Sequence, residues 1–507
     1  MHYALQIVEV VEIICEHLAQ LDASTGDLAR LARTSTLFLD PALNVLWRHQ
    51  GTLVNLLRCM PSDVWDITET RYEDEDDDVP GDVKIDLRRP ITLVDWERFR
   101  FYSHRVKSFH PDQKHWLETP KVYETLDLCF PEQPIFPNLR ALDWWPHADG
   151  SFDYIRLFLS PRISNLHMTA ECIPHPSTLP LLSSKCPSLK NISISMAPGP
   201  ALSKFVRGLH HLETLVVTDL NTAALSHIAR LPGLLYLWLM SSSPVPSFRP
   251  SAGSLPFPAL QRLEYESIEH APRLLELMAK CSLVELTIIA RGFNTTPPPN
   301  TIAQQFYSAL ATYCSHSSLR KINVQRNGHA WTINADQHSI YLVKGDILHP
   351  LFSFSNLVNV SLSHPVGVDL DDTVVRKMAT AWPQIESLLL PPERSHRITP
   401  RATLEGIYAF AQHCPRLRSL HLVFDASIVP ELKSKGEKTV CQRALRYLDV
   451  SYSPVGKPRP VAKFLSAIFP HLHTISTLYY ALPKSMADAK AEVLASHMGW
   501  NQVLGAL

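Results

Sequence analysis

Chemistry in a protein is carried by a few residue types, and these are easily found here. The chain has 9 Cys and 24 His among 507 residues. No two cysteines form a C-x-x-C pair, the spacing with which short loops offer thiolates to zinc. The closest histidines are His210-His211 and the pair His471 and His473, which flank Leu472. Alternation along a strand would turn both imidazoles of the second pair to one face, with Leu472 inward. No third Cys, His or acid stands at a recognisable ligand spacing from them, so they read as surface residues. Glycine-rich phosphate loops, H-E-x-x-H and the G-x-S-x-G nucleophile turn are all absent. These residues predict no catalytic group, no metal site and no cofactor. The densest titratable run is EDEDDD at residues 73–78, followed by Pro80 and Gly81. Six adjacent acids repel one another, so residues 70–82 read as a solvated, disordered loop.

The elements that carry these residues are set by a repeat. The unit is L-x-x-L-x-L preceded by a helix-like stretch. Copies read NLRALDW at 138–144, SLKNISI at 188–194, HLETLVV at 211–217, GLLYLWL at 233–239, ALQRLEY at 259–265 and SLVELTI at 282–288. SLRKINV at 318–324, NLVNVSL at 356–362, QIESLLL at 384–390, RLRSLHL at 416–422 and ALRYLDV at 444–450 continue the series, with a weaker SNLHM at 164–168. Successive copies start mostly 22–28 residues apart, with steps of 36, 38 and 32 that leave room for inserts near 294–300 and 325–345. The last two leucines of each unit are two apart, the strand period, and share one face. A single strand and helix cannot bury both apolar faces, so each unit requires a neighbour. Several helix-like stretches end in Cys or an aromatic followed by Pro, as at Cys186-Pro187, Trp382-Pro383, Cys414-Pro415 and Phe469-Pro470; Pro stops the helix before the next strand. Cys186, Cys281, Cys314 and Cys414 thus read as apolar fillers of one recurring slot.

Composition agrees. Hydrophobic residues are 45% of the chain, enough for a large core, and 48 Lys+Arg against 49 Asp+Glu leave a net charge of −1. Such a balance argues against a nucleic-acid binder. The first residues lack a basic leader region, Glu9 and Glu12 interrupt the apolar stretch, and no run approaches a membrane span, so we expect an intracellular protein, cytoplasmic or nuclear, with no membrane partner.

Residues 1–50 have a different, helical texture. Val8, Val11, Ile14, Cys15 and Leu18 recur at three- and four-residue spacing; Leu28, Leu31 and Phe38 form a second pattern; Pro41 suits the first turn of a third helix running through Leu43, Leu46 and Trp47. The segment Glu9, Val10, Val11, Ile14, Cys15, Leu18, followed by Leu28-Ala-Arg-Leu31, Phe38 and Leu46-Trp47-Arg48, resembles an F-box. Gln6-Ile7 replaces the usual Leu-Pro, and Thr34–Phe38 replaces the usual Cys-Arg-x-Trp. Together with the repeats, the chain resembles the F-box/leucine-rich-repeat proteins.

That resemblance implies a leucine-rich-repeat solenoid, an α/β fold with a curved parallel sheet inside and helices outside, preceded by a small three-helix module. The implied organisation is an F-box-like module at 1–50, a connecting segment at 51–103, and repeats with a C-terminal helical cap at 104–507. It further implies a non-enzymatic substrate-recognition subunit of a Skp–cullin–F-box ubiquitin ligase. Val10, Val11, Ile14, Leu18, Leu28 and Leu31 would meet the Skp adaptor, and through it a cullin–RING ligase. The outward positions of the repeats, Tyr236, Trp238, Arg262, Arg320, Lys321, Arg418, His421 and Tyr447, would meet a protein substrate. Tyr, Trp and Arg are the types enriched at interface hot spots. The alternative is a leucine-rich-repeat scaffold in which residues 1–50 only cap the array and serve no ligase.

Overall fold

The structure, a computed structural model, describes residues 7–21, 24–69, 83–111, 120–130, 133–145, 151–169, 179–195, 199–247, 255–279, 281–291, 296–327, 333–392, 399–431, 440–478 and 487–507. The acidic run at 73–78 lies outside these residues. The chain forms two compact units, Met1–Ala224 and Leu225–Leu507.

The first unit opens with three helices, α1 (Val8–Ala19), α2 (Ser24–Ala32) and α3 (Thr36–Leu46). Val11, Cys15, Leu28, Ala32, Ala42, Leu43 and Val45 close around one another as their core. The four-residue step from Val11 to Cys15 places both on the inner face of α1. Pro41 does not open α3 but lies within it. The start is set five residues earlier, where the Ser35 hydroxyl accepts the Leu37 N–H at 3.3 Å. The trio rests on the first repeats: Trp47 stacks on Tyr102 with centroids 4.4 Å apart. The buried Arg105 guanidinium donates to Asp40 at 2.6 Å and also to Asn44.

A parallel ladder follows in chain order: His49–Gln50, Ser108–Phe109, Ala141–Trp144, Asn165–Thr169, Asn191–Ser195 and Thr214–Val217. Part of the segment read as a connector is folded. Trp65–Glu69 and Val83–Leu87 form an antiparallel pair, with Trp65 opposite Leu87 and Ile67 opposite Ile85.

The second unit repeats the ladder over Tyr236–Leu239, Arg262–Tyr265, Glu285–Arg291, Lys321–Asn327, Asn359–Leu362, Ser387–Leu389, Ser419–His421, Tyr447–Ser451 and Thr474–Thr477. Helices stack on one another in the same order. Asn300–Tyr313 packs on Gly345–Ser353, that on Asp372–Ala381, and that on Leu404–His413; the final helix, Ala487–Leu504, covers Pro458–Ile468. Sequential parallel strands joined by stacked helices are the leucine-rich-repeat form of the α/β solenoid.

Two backbone devices lock the register. The first leucine of a unit donates its N–H to the carbonyl three residues back, as Leu139 to Phe136, Leu189 to Cys186, Ile385 to Trp382 and Leu417 to Cys414. The carbonyl of the residue just before each strand then accepts two N–H groups from the next copy. Arg320 O, for example, takes Val358 N and Asn359 N at 2.8 and 3.1 Å. Every unit leucine so held is buried, each stabilising the fold by about 1.5–3 kcal/mol.

The slot three residues before that leucine is where Cys186 and Cys414 sit. Cys281 lies one residue nearer the strand, and its thiol donates to Phe257 O and Leu260 O at 3.5 and 3.3 Å. The Cys414 thiol donates to Ala379 O at 3.4 Å. Burial pushes the Cys186 and Cys281 thiols to about 11 and that of Cys414 to about 12, so all three are protonated donors at neutral pH. Cys314 departs from the expectation. It ends the Asn300–Tyr313 helix five residues before Leu319, because Ser315–Ser318 lengthens that turn.

Candidate functional site

Strand register turns the repeats of the second unit into rows. One outward row reads Tyr236, Arg262, Glu285, Lys321, Asn359, Ser387, Ser419, Tyr447, Thr474. The next residue in each strand, from Leu237 to Ile475, is buried. A second outward row reads Trp238, Glu264, Thr287, Asn323, Ser361, Leu389, His421, Asp449, Ser476. Thus Tyr236, Arg262, Lys321 and Tyr447 share the first row, and Trp238 and His421 the second. Arg320 and Arg418 sit just before their strands, at the start of the face.

Two side-chain groups stand out. In the first, the Arg262 guanidinium lies 5.5 Å from the Tyr236 ring centroid and its Nε donates to Glu285 at 2.9 Å. Lys321 Nζ reaches the other Glu285 oxygen at 2.7 Å. Burial opposes ionisation of Glu285, but Lys321 and then Arg262 outweigh it and hold the carboxyl below its usual range. Burial, then the neighbouring Glu264, pushes the Tyr236 phenol up, so it stays a neutral donor. Trp238 is only part-exposed, and its indole N–H is enclosed with no hydrogen-bond partner among the described residues.

The second group is His421, Tyr447, Asp449 and Ser451. His421 Nε2 lies 2.7 Å from Ser451 Oγ. Asp449 accepts from Ser451 N at 2.9 Å, from Ser451 Oγ at 3.1 Å and from the Tyr447 hydroxyl at 3.3 Å. Burial lowers the His421 pKa, partly offset by Asp449. A histidine beside a serine suggests a nucleophile and its base, but the geometry does not support that chemistry. Asp449 approaches the same Nε2 at 3.3 Å and therefore does not orient the imidazole from Nδ1. Ser451 is 2% exposed, so no reacting carbon reaches its oxygen. The group holds Ser451 at φ 49°, in the left-handed region. Short side chains, Asn359, Ser387, Ser419, Ser361 and Asn323, separate the two groups.

The first unit has a cluster that spacing alone did not single out. His110 Nδ1 meets Asp143 at 2.7 Å, and the Trp145 ring stands edge-on to His167 at 4.4 Å. Asp143 and His167 occupy the same place in adjacent strands. Asp143 raises the His110 pKa, whereas burial lowers that of His167. The signal was available in the aligned copies NLRALDW and SNLHM. Among the described residues, no three His, Cys, Asp or Glu come together as a metal-binding group, and no helix is long and apolar enough to cross a membrane. His471 and His473 are both exposed beside the buried Leu472. They turn to Arg443 O and Thr474 Oγ1, each at 2.9 Å.

The helical trio separates the six residues expected to meet an adaptor. Val11 and Leu28 are 1% and 2% exposed and belong to its core, so neither is available to a partner. Leu18 and Leu31 pack against that core, and Val10 is part-exposed. Ile14 points out, 40% exposed. Residues not expected there point out as well: Ile7, Val8, Ile13 and Leu21, with Leu37 and Leu39 on α3. Seven of the nineteen exposed large hydrophobic side chains among the described residues fall between residues 7 and 39, far above that segment's share of the chain.

No known family model and no curated protein matches the chain. Among solved structures it is similar to a leucine-rich-repeat protein of Leptospira interrogans, with 14% identity, 68% of this chain and 79% of that one covered, and a TM-score of 0.34. It is similar to the Toll–Spätzle complex of Drosophila at 12% identity, 74% and 54% coverage and a TM-score of 0.34. The leucine-rich-repeat ectodomain of the Arabidopsis receptor kinase HAESA, bound to a peptide hormone, gives 12%, 73%, 56% and 0.28. The chain spans about half the length of the last two. The fold class rests on the strand register described above.

Proposed function

We propose that this protein is a non-enzymatic binding subunit whose helical trio docks an adaptor of the Skp type and whose repeats hold a protein target for a cullin–RING ubiquitin ligase. The observation that carries this reading is the crowding of exposed aliphatic side chains on a folded three-helix module. Apolar anchors of this kind supply most of the free energy of an interface core. Ile14 lies on α1 beside its buried stripe, and the exposed Ile7 is the residue that caps the helix start. The F-box-like segment is on that same helix.

Co-purification with the Skp adaptor tests the reading. Wild type is compared with Val8→Asp and Ile14→Asp, which change exposed positions and leave the trio core intact. A carboxylate buried in an apolar interface costs several kcal/mol, roughly enough to abolish a micromolar complex. Binding that survives both substitutions, or no adaptor recovered at normal expression, refutes the assignment. Val11→Asp is not a reporter, because it would unfold the trio.

A second reading has its own support. Trp47, Arg105, Asp40 and Asn44 fasten the trio to the first repeats, as a terminal cap requires. If the trio is only a cap, the adaptor is not recovered, and the two Asp variants keep every partner of the wild type.

A further inference from the structure

The starts of the last three ladder strands of the second unit carry basic side chains in register, two arginines and a histidine. Arg446 N donates to Arg418 O at 2.9 Å, and His473 N donates to Arg446 O at 3.3 Å. Arg418, Arg446 and His473 therefore occupy one row on adjacent strands. Arg416, Arg443 and His471 lie in the turns just before them, and all six residues are exposed. Glu386 is the acid that approaches this rim, 3.9 Å from Arg418, whose side chain is 69% exposed. Among the described residues, Arg416, Arg443 and Arg446 form no ion pair. The corresponding row of the first unit is compensated in part: Lys190 meets Glu213 at 2.7 Å and Arg48 meets Glu16 at 2.9 Å, while Lys107 and Arg140 form no ion pair among the described residues.

The rim is also held rigid. Gln442 is buried between the two turns that bear the arginines. Its Nε2 donates to Cys414 O and Leu417 O at 3.1 and 2.7 Å, and its Oε1 accepts Ala444 N and Leu445 N at 3.1 and 2.9 Å. One side chain thus fixes the backbone under Arg416, Arg418, Arg443 and Arg446. Cations on a fixed backbone lose less entropy when an anion docks.

We propose that this rim binds a short anionic peptide segment of a partner protein, rich in carboxylates or carrying a phosphoryl group. The row spans two strand spacings, about 10 Å, which matches about three extended residues. Asp449 stands farther along the same face and repels an anion spread beyond the rim. That limit favours a narrow acidic segment over a nucleic-acid backbone, whose phosphates would extend across Glu386 and Asp449. The inference rests on reading the repeats as a protein-binding array and is independent of the adaptor.

Fluorescence anisotropy on the full chain tests it with three probes of matched charge: labelled hexaglutamate, a peptide bearing phosphoserines, and oligouridine. Wild type is expected to bind a peptide probe, and binding should weaken as salt is raised from about 50 to 500 mM. Arg418→Glu with Arg446→Glu should weaken binding at least tenfold. Arg446→Gln alone should weaken it about threefold, and Arg207→Glu, on a helix of the first unit, should leave it unchanged. Preference between the two peptide probes tells carboxylate from phosphate recognition. The proposal is overturned if no peptide binds, if both rim variants bind as wild type does, or if oligouridine binds more tightly than either peptide. These outcomes are separate from adaptor recovery.

Discussion

His364 provides a test of how polar groups are tolerated inside the array. Its Nε2 and the hydroxyl of Tyr307 are 2.7 Å apart, and both residues are buried, Tyr307 on the inner side of the Asn300–Tyr313 helix and His364 in the turn after Asn359–Leu362. With the tyrosine as donor, the imidazole is neutral with its proton on Nδ1. Burial lowers the His364 pKa from 6.5 to about 4. The folded state therefore resists a proton that the unfolded chain accepts. Stability is fully present above about pH 6.5 and falls as the pH drops toward 4, where the loss levels off. Across that whole window the shift corresponds to about 3 kcal/mol, and at pH 5 about 2 kcal/mol has been lost. The assay is urea unfolding at pH 7.5 and 5.0 of wild type and His364→Gln. Glutamine can still accept from Tyr307 but does not titrate. Other groups titrate equally in both proteins, so the variant should lose about 2 kcal/mol less than wild type between the two pH values. Equal pH dependence in the two proteins would refute the argument.

Three further outcomes follow from the packing. Gln442→Leu removes four hydrogen bonds from a buried turn and should destabilise the second unit by about 2–4 kcal/mol, read from urea unfolding. Gly406→Ala should destabilise by about 1–3 kcal/mol although alanine favours helices, because its Cβ would lie 2.6 Å from Asp372 Oδ1; that oxygen already accepts Thr403 N and Gly406 N at 2.7 and 3.0 Å. Among the described cysteines, the exposed Cys441 should react with a thiol reagent in the native protein, whereas the buried Cys186, Cys281 and Cys414 should react only after unfolding, as thiol counts with and without denaturant will show.

The repeat framework was legible because a strand period of two and a repeat of constant sign leave redundant traces. Each first apolar residue of the copies read from the sequence, from Leu139 to Leu445, is buried, and the alternation that turned Tyr236 and Trp238 away from Leu237 appears in the register; the repeat ending in Thr474–Thr477 was missed. What escaped depends on single residues. Gln442 occupies a slot filled in several other repeats by Phe, Cys or Trp, as at Phe136, Cys186 and Trp382, and nothing in its type shows that four backbone groups converge on it. In α1 the apolar residues outnumber those one face can bury, so periodicity grouped Val8 and Ile14 with Val11 and Cys15, although only Val11 and Cys15 are buried. The antiparallel pair at Trp65–Glu69 and Val83–Leu87 was hidden because its strands are short and flank the acidic run. Arg105 pairs with residues more than sixty positions away, a distance at which no local pattern operates.

The turns beneath the strands give the array a direction of dependence. Cys281 donates back to Leu260 O, Cys414 to Ala379 O, and Gln442 to Leu417 O, so carbonyls of one repeat are satisfied by a side chain of the following one. Shortening the chain from its C-terminal end therefore orphans buried carbonyl acceptors in the repeat left behind, whereas shortening it from the other end leaves the thiol or amide donor of the next repeat without its acceptor. Loss or duplication of repeats in a lineage is then best tolerated when the break falls just after a joint side chain. An array of this kind has a grain, and its last repeat needs a cover such as Ala487–Leu504 for a reason beyond hiding apolar surface.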